Sequence, residues 1–436
     1  SENRGWRLTS NQVNGGSLAT AVNTGVGGTF FNPFCDGRSF DCNSDAVSDS
    51  FRAWTGVGSL FRTKGVSGSV SGDLFDLPGG PSKLAVGGEY HHDYLFGTGQ
   101  SGNSRTPNAT IIDPGLPTDK SREVSSAYAE IFAPVLPGLE LNAAVRYDHY
   151  SDVGSTTNPK FGVNYSPVPG LTFRGSYGTS FRAPTLVDVN MYATAGFLAR
   201  TGSGAAVGLS PANNTFNYIY QVGGNEDLKP EKAETWSLGF DVGRGLIPGF
   251  NMSLTYYNIV YTDRVDTPAY NVPPNAALNS GAFDSLVVLN PQFFPGKATM
   301  TQAEYNAFVT SHVLNNPDGL QLFGPPLANV QDYIAIIDGR RQNGGVVKTD
   351  GLDFLANYTF DAGGFDIRLG GVANYIFNYK NAPLPTVALD NEVNHFGYPA
   401  RFTARAEAGI DVGGFSGTLF LNHVGARTIT RAYLPA

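Results

Sequence analysis

The stretch LTFRGSYGTSFRAP, residues 171–184, alternates between two kinds of side chain and then stops at a proline. Leu171 and Phe173 fall on one side of an extended chain, whereas Arg174 falls on the other. This period of two predicts a β-strand that has one apolar face and one polar face. Proline has no N–H group to donate to a neighbouring strand, so the strand is predicted to end before Pro184.

The same alternation recurs along most of the chain. About twelve full strands are predicted, at residues 66–76, 84–96, 123–135, 139–148, 158–167, 171–181, 232–243, 249–263, 347–360, 365–379, 398–411 and 414–427. Most of these runs exceed the roughly five or six residues that are usual in soluble proteins, and they match the roughly nine to eleven that a membrane barrel requires. The pattern therefore favours strands that cross a membrane.

The connections between these strands alternate between short and long. Turns such as LPG at 136–138 and SPVPG at 166–170 are short, whereas long segments occupy residues 97–122, 182–231, 264–346 and 380–397. Outer-membrane barrels have this asymmetry, with tight periplasmic turns at one end and long external loops at the other. We therefore expect an all-β fold, an antiparallel transmembrane β-barrel with long extracellular loops, in which Pro184 lies at the outer rim.

The first part of the chain alternates less clearly than the rest. We expect residues 1–65 to form a loop-rich N-terminal segment and residues 66–436 to form the barrel domain. Cys35 and Cys42 lie close together in the first segment, which predicts a local disulfide in a compartment outside the cytoplasm. Two free thiols are the alternative, whereas a metal site would need further ligands that the neighbouring residues do not offer.

The composition argues against several classes of function. Charged residues make up 15% of the chain, well below the roughly 25% of soluble proteins, and no run of about 18 apolar residues predicts a membrane helix. The net charge is −8 and no basic run is present, which argues against binding to nucleic acid. The sequence lacks G-x-S-x-G, H-E-x-x-H and P-loop motifs, so we expect neither an enzyme nor a bound cofactor.

Arginines on the predicted polar faces point into the lumen of the barrel: Arg146, Arg174, Arg368, Arg401 and Arg405. They could draw an anionic ligand inward, because a cleft lined by one sign of charge concentrates ions of the opposite sign. The same faces carry the acidic residues Asp148, Asp366, Glu407 and Asp411. Structural ion pairs between the two sets are therefore the alternative to ligand binding.

The 264–346 loop is rich in aromatic and amide side chains. Such groups at the mouth of a barrel suit flat or sugar-like ligands, and packing of the loop on itself is the alternative. Within this loop, the stretch TQAEYNAFVTSHVL predicts a short helix in which Thr301 and Glu304 form a capping box.

Two motifs, FRAPTLVDV at 181–189 and GGNEDLKPEKAETWSLGFDV at 223–242, resemble the paired signature of TonB-dependent outer-membrane receptors. In that family a Phe-Arg-Ala-Pro segment ends one strand, and an Asn-x-x-Leu-x-Pro-Glu segment leads into the next strand after a long external loop. The matching residues here are Phe181, Arg182, Ala183, Pro184, Asn225, Leu228, Pro230 and Glu231. The stretches 72–90 and 337–354 are also similar to this family.

The resemblance implies a barrel of about 22 strands that is closed by an N-terminal plug. It also implies a place in the outer membrane of a Gram-negative bacterium, where an inner-membrane TonB complex would supply energy through a TonB box ahead of the plug. We expect residues 66–436 to form an incomplete barrel, because a plug-like region, a TonB box and the final strands are not recognisable in residues 1–436.

The function that the resemblance implies is energy-coupled uptake of a scarce nutrient, such as a ferric siderophore, a cobalamin-like compound or an oligosaccharide. A passive porin-like or adhesin-like barrel is the main alternative, and a membrane-barrel enzyme and a soluble β-protein are further ones. The expected partners are outer-membrane lipid, the TonB complex and a small-molecule or oligosaccharide ligand. Candidate ligand-contacting or lumen residues are Arg182, Tyr192, Tyr218, Tyr270, Phe293, Phe294, Arg340, Arg341, Arg401 and Arg405.

Overall fold

The structure is a computed structural model. It describes residues 2–13, 15–34, 43–103, 118–190, 196–203, 215–269, 277–278, 280–314 and 332–429. The strands in these ranges are β1 Glu2–Val13, β2 Arg52–Leu77, β3 Gly80–Asn103, β4 Thr118–Leu136, β5 Leu139–Tyr150, β6 Gly154–Val168, β7 Leu171–Arg182, β8 Gly196–Ser203, β9 Thr215–Val222, β10 Glu231–Val242, β11 Phe250–Asp266, β12 Val287–Leu289, β13 Tyr333–Asp338, β14 Gln342–Asp361, β15 Asp366–Ala382, β16 Asp390–Asn391, β17 Phe402–Val412 and β18 Phe415–Val424. The α-helices are α1 Gly15–Asn23, α2 Asp45–Phe51, α3 Leu186–Asn190 and α4 Gln302–Phe308.

Most of the strands form one large antiparallel sheet. Its order within the described ranges is β1-β2-β3-β4-β5-β6-β7-β10-β11-β14-β15-β17-β18, and the two-residue strand β16 pairs with β15. Each of the twelve predicted strands is present in this sheet. The predicted all-β transmembrane barrel fold is therefore confirmed.

The first 65 residues contain more strand than the sequence predicts. Strand β1 pairs with β2 from Glu2 opposite Arg62 to Val13 opposite Arg52, so this segment is part of the sheet rather than mainly loop. Strand β2 also continues through residues 65 and 66 without interruption, so the expected boundary falls inside a strand. The prediction missed β1 because its sequence, ENRGWRLTSNQV, has few apolar residues to reveal a period of two.

The two faces of the sheet differ as the alternation predicts. On the inner face, the Ser176 and Ser237 hydroxyls lie 2.8 Å apart across β7 and β10. On the outer face, large apolar side chains remain uncovered, and Leu238 is 60% exposed. Water would not tolerate such a continuous apolar face, but lipid satisfies it, and the strands between β1 and β18 have their backbone groups paired with a neighbour on either side. No helix in the described part of the chain is long and apolar enough to cross a membrane.

The apolar outer face ends at a clear level near the loops. On β15 the outward residues are apolar from Ile367 to Phe377, and Asn378 and Lys380 follow. On β10 and β14 the same change occurs after Trp236 and Leu352. Aromatic side chains gather at this level, where the Trp236 and Tyr256 rings lie 5.2 Å apart and those of Tyr375 and Phe377 also lie 5.2 Å apart. We call the region below this level the apolar band; its upper limit marks the outer membrane interface.

Two glycines make the short turns at the opposite end possible. Gly138, between β4 and β5, has a φ of 81°, a left-handed conformation that favours glycine. Gly249, before β11, has a φ of 76°, and a Cβ atom there would lie 2.1 Å from the Thr359 carbonyl oxygen. These turns can be tight because their backbones pass close to neighbouring strands without a side chain.

The long loops contain a second sheet. Strands β8 and β9 from the 182–231 loop join β12 and β13 from the 264–346 loop in the order β12-β13-β9-β8, and β9 and β13 run parallel. We call this the loop sheet. The sequence analysis predicted a long loop at 182–231 and no strand within it, so β8 and β9 add paired strands to that expectation. A third loop contributes Leu384, 6% exposed, to the apolar core beneath the loop sheet.

The predicted helix of the 264–346 loop is present as α4. Thr301 is its N-cap: the hydroxyl accepts from the Glu304 N–H, and the Glu304 carboxylate accepts from the Thr301 N–H at 2.7 Å. This reciprocal arrangement is the predicted capping box. The helix continues into a π-helical segment, Val309–Leu314. Tyr305 of α4 is fully buried and donates to the Tyr333 carbonyl at 3.0 Å, which ties the helix to β13.

Candidate functional site

The two motifs that resemble the family signature meet at the outer rim of the sheet. Arg182 ends β7 and Glu231 begins β10, and the strand register places them directly opposite each other. The guanidinium donates to both carboxylate oxygens, with Nη2 2.8 Å from Oε1. This two-pronged contact suits the planar guanidinium. The Glu231 side chain is 0% exposed whereas that of Arg182 is 53% exposed, so one partner is buried and the other reaches solvent.

Glu231 has further partners on β11. Its Oε2 accepts from the Tyr261 hydroxyl and its Oε1 accepts from the Val265 N–H, both at 2.5 Å. Together with the Arg182 contacts, these bonds occupy both carboxylate oxygens. Glu231 therefore joins the upper ends of three strands at the point where two long loops leave the barrel.

The end of β7 is fixed from the side by Arg122 of β4. The Arg122 Nη1 donates to the Pro184 carbonyl at 2.7 Å, and its Nη2 lies 2.6 Å from Oδ2 of Asp152. The guanidinium also lies over the Tyr150 ring, 5.6 Å from its centre. Arg122 is 5% exposed. The sequence analysis did not single out Arg122, because nothing local to it indicates that it contacts a loop 62 residues away.

The second motif is fixed by contacts with the 264–346 loop. Asn225, 5% exposed, donates from Nδ2 to the Arg341 carbonyl at 2.8 Å. The Arg341 side chain in turn contacts Asp188 of α3, with Nη1 2.7 Å from Oδ1. Leu228 and Pro230 are buried beside these groups. The motif residues and Arg341 therefore hold two loops together.

Asn343 completes this bracing. Its Nδ2 donates to the Lys229 and Asp263 carbonyls at 2.8 and 2.7 Å, and its Oδ1 accepts from the Lys229 N–H at 2.7 Å. A single amide side chain thus satisfies backbone groups on both sides of it. Sequence reasoning missed Asn343, since it falls at the end of the predicted 264–346 loop, where an asparagine carries no signal of distant partners.

A polar cavity of about 530 Å³ lies among these braces. Its lining includes Lys229, Asn343 and Arg340. The Arg340 Nη2 lies 2.8 Å from Oδ2 of Asp338, and these hydrogen bonds raise the pKa of the Arg340 guanidinium above its ordinary value. Of the candidate residues, Arg340 therefore lines a cavity while already forming a local ion pair.

The loop aromatics are mostly enclosed. Tyr218 is 4% exposed and Phe294 is 8% exposed, and both belong to the core beneath the loop sheet. Phe293 is partly buried against the same core. These three side chains pack in the loop layer, as the alternative of loops that pack on themselves describes, and their role as ligand contacts stays a prediction.

The lumen arginines mostly form structural contacts. Arg146 Nε lies 2.8 Å from Asp148, and Arg368 Nη1 lies 2.9 Å from Asp411, as the ion-pair alternative predicted. The Arg174 guanidinium binds Asp241.

The remaining two lumen arginines, Arg401 and Arg405, have different contacts. Arg401 donates from Nη1 to the Phe377 carbonyl at 3.2 Å. Arg405 lies over the Phe420 ring at 4.3 Å. Their role as ligand contacts stays a prediction.

Four residues of the sequence predictions lie outside the described ranges: Tyr192, Tyr270, Cys35 and Cys42. The disulfide therefore stays a prediction. Across the described ranges, no cluster of three or more His, Cys, Asp or Glu side chains could hold a metal ion.

Curated relatives include a receptor and a transporter. The chain is 24% identical to the ferric enterobactin receptor of Pseudomonas aeruginosa over 190 residues, which cover 42% of this chain and 23% of that receptor. It is 25% identical to the vitamin B12 transporter BtuB of Vibrio cholerae over 157 residues, or 36% and 20% of the two chains. The matched region is therefore about a fifth to a quarter of each relative's length.

Solved structures are similar to this chain at lower sequence identity than the curated relatives. A ferric enterobactin receptor from Pseudomonas aeruginosa in complex with enterobactin has a TM-score of 0.48 at 15% identity, covering 94% of this chain and 44% of that one. The siderophore receptor PirA from Acinetobacter baumannii has a TM-score of 0.48 at 16% identity, covering 94% and 45%.

The family comparison spans almost the whole chain. The family described as TonB dependent receptor-like, beta-barrel matches residues 1–433. That range includes the antiparallel sheet, the loop layer and both rim motifs. The chain therefore belongs to the TonB-dependent receptor β-barrel family, and its place is the outer membrane.

Proposed function

We propose that the protein takes up a scarce nutrient across the outer membrane by energy-coupled transport. The substrate classes are a ferric siderophore, a cobalamin-like compound or an oligosaccharide, and the proposal includes no catalytic step. The TonB complex, acting through a plug, is the proposed source of energy. Family membership supports the proposal, as do the curated relatives whose names specify ferric enterobactin and vitamin B12.

One observation favours a receptor over a passive pore: the long loops fold into an ordered layer that is attached to the rim of the sheet. Strands from two loops form the loop sheet, and a third loop closes its apolar core. Arg122, Glu231 and Asn343 attach the bases of these loops to the rim. Selective binding of a dilute solute benefits from such pre-organisation, because loops that are already ordered lose little entropy when a ligand binds.

The cavity beside Arg340 and Lys229 and the lumen-facing Arg401 and Arg405 are the proposed ligand-contacting groups. The cavity offers amide, carboxylate, ammonium and guanidinium groups within one space of about 530 Å³. That mixture suits a polar ligand with several hydrogen-bonding groups. Arg182 is proposed as a rim brace, because its contacts are with Glu231.

The test is growth of a strain that lacks the full-length receptor on a panel of iron chelates, cobalamin and glycans as limiting nutrients. We expect growth to fail on one class and to return when the receptor gene is restored, but only in cells with a working TonB complex. Restored growth in cells without TonB would contradict energy coupling and support a passive pore. Normal growth of the deletion strain on every member of the panel would contradict uptake of these classes.

A further inference from the structure

Three lysines face away from the barrel above the apolar band: Lys232 on β10, Lys348 on β14 and Lys380 on β15. The register decides their direction. Lys232 alternates with Glu231, whose carboxylate lies on the inner face, and therefore points outward. Lys348 lies opposite Val260 of β11, on the same outer face, and Lys380 lies opposite Lys348.

Lys348 and Lys380 form a directly opposed pair in the antiparallel register. Side chains in that relation have Cβ atoms about 4.5–5.5 Å apart, and like charges there destabilise the sheet. Within the described ranges, neither ammonium group lies within 4.0 Å of a carboxylate. Asp350 is on the same face, but its carboxylate accepts from Asn378 at 2.9 Å and from the Tyr256 hydroxyl at 3.2 Å. The two positive charges therefore lack a partner of opposite sign in the protein.

The height of these lysines matches the headgroups of the outer leaflet. They lie three or four residues beyond Phe377, Leu352 and Trp236, where the apolar band ends. At about 3.3 Å per residue and a tilt of about 40°, this places the lysines roughly 8–10 Å above the edge of the hydrocarbon. Lys232 lies two strands from Lys348 and two residues higher, opposite Thr262, so the two backbone positions are about 12 Å apart.

The geometry points to a binding site for a phosphate-bearing lipid headgroup of the outer leaflet. A phosphate placed between Lys348 and Lys380 would cancel their repulsion and accept hydrogen bonds from both ammonium groups. Lys232 also lines the polar cavity beside Arg340, and Glu234 lies in the row of Lys348, so the favourable position is confined to the opposed pair of Lys348 and Lys380. The phosphate belongs to a lipid and not to a free ion, because the site faces the membrane at headgroup depth.

The test uses full-length receptor purified in detergent, with lipid A carrying two phosphates as the probe. Binding is measured by titration for the wild type and for the Lys348→Met/Lys380→Met variant, whose side chains keep the apolar stems but lose the charge. Because each lysine near a charged membrane surface contributes about a fivefold gain in affinity, the loss of two should weaken binding by the variant roughly 30-fold. The Lys348→Arg/Lys380→Arg variant should bind nearly as well as the wild type.

Lys160→Met is the matched control, because Lys160 is an exposed strand lysine that pairs with Gly178 and faces the lumen. It should bind lipid A like the wild type, and the slower migration of boiled samples in SDS gels checks that each variant is folded. Equal lipid A binding by the wild type and the Met variant would overturn the proposal. So would equal binding of lipid A without phosphates, or complete competition by inorganic phosphate at matched phosphate concentration. None of these outcomes depends on whether the receptor transports a nutrient.

Discussion

The pair of Arg182 and Glu231 offers a sharp test of how the family motifs stabilise the rim. Replacing Arg182 with Ala leaves a carboxylate that is 0% exposed and has lost two of its hydrogen bonds. Breaking a fully buried ion pair costs about 3–5 kcal/mol, whereas exposed pairs contribute about 0–1 kcal/mol. Arg182 is 53% exposed, and Glu231 keeps its bonds to Tyr261 and Val265. We therefore expect a loss of about 2 kcal/mol in the free energy of unfolding, between these limits.

Glu231 is buried whereas Arg182 is largely exposed, so substituting Glu231 should destabilise the protein less than substituting Arg182. Glu231→Gln keeps an oxygen that can accept from Val265 and lets Arg182 turn to solvent, so it should cost only about 1 kcal/mol. Adding Glu231→Gln to Arg182→Ala should then be neutral or stabilising, because it removes the unpaired buried charge. The double-mutant cycle should give a coupling of about 1–2 kcal/mol.

The chain offers a matched control for this measurement. Arg52 also has a side chain that is 53% exposed, but its partner Asp49 is 30% exposed. Arg52→Ala should therefore cost less than about 1 kcal/mol. The assay is urea unfolding of full-length receptor folded into lipid vesicles, followed by tryptophan fluorescence and analysed by linear extrapolation. If Arg182→Ala costs no more than Arg52→Ala, or if the two rim substitutions are additive, the rim pair is not coupled and the reasoning is wrong.

Two further substitutions test the loop layer. Asn343→Ala removes three hydrogen bonds to Lys229 and Asp263, so the Lys229 amide, which donates one of them, should exchange its hydrogen at least several-fold faster than in the wild type, and an unchanged exchange rate would argue against the brace. Thr301→Ala removes the capping box of α4 and should lower the stability of the loop layer by about 1 kcal/mol, measured by hydrogen exchange of that helix. The same bonds lower the pKa of Glu304 from 4.5, so its stabilising contribution is complete above that value and should disappear as the pH falls through the lowered pKa. Equal protection factors of this helix in the wild type at neutral and acid pH, after correction for the intrinsic pH dependence of amide exchange, would contradict this linkage.

The strand pattern of the barrel could be predicted from the sequence because its signal is local. A membrane strand exposes every second side chain to lipid, so Phe173 and Arg174 must differ in polarity wherever the chain lies in the final fold. Proline acts locally as well: Pro184 ends β7 whatever its neighbours are. Strand β1 was missed because it lacks this local signal: its polar sequence does not repeat with a clear period.

The loop layer and the rim contacts depended on tertiary structure. Strand β9 pairs in parallel with β13 from a different loop, and no local pattern indicates that pairing. Likewise, Arg122 binds the Pro184 carbonyl 62 residues away. These contacts form only when the long loops close, because the two partners are far apart in the sequence. A local sequence pattern therefore does not reveal them. Alternation and turn composition by themselves determined a membrane barrel and its orientation. Only the tertiary structure decided that Glu231 is the buried joint of three strands and that Lys348 opposes Lys380, because burial and strand register are properties of the assembled sheet.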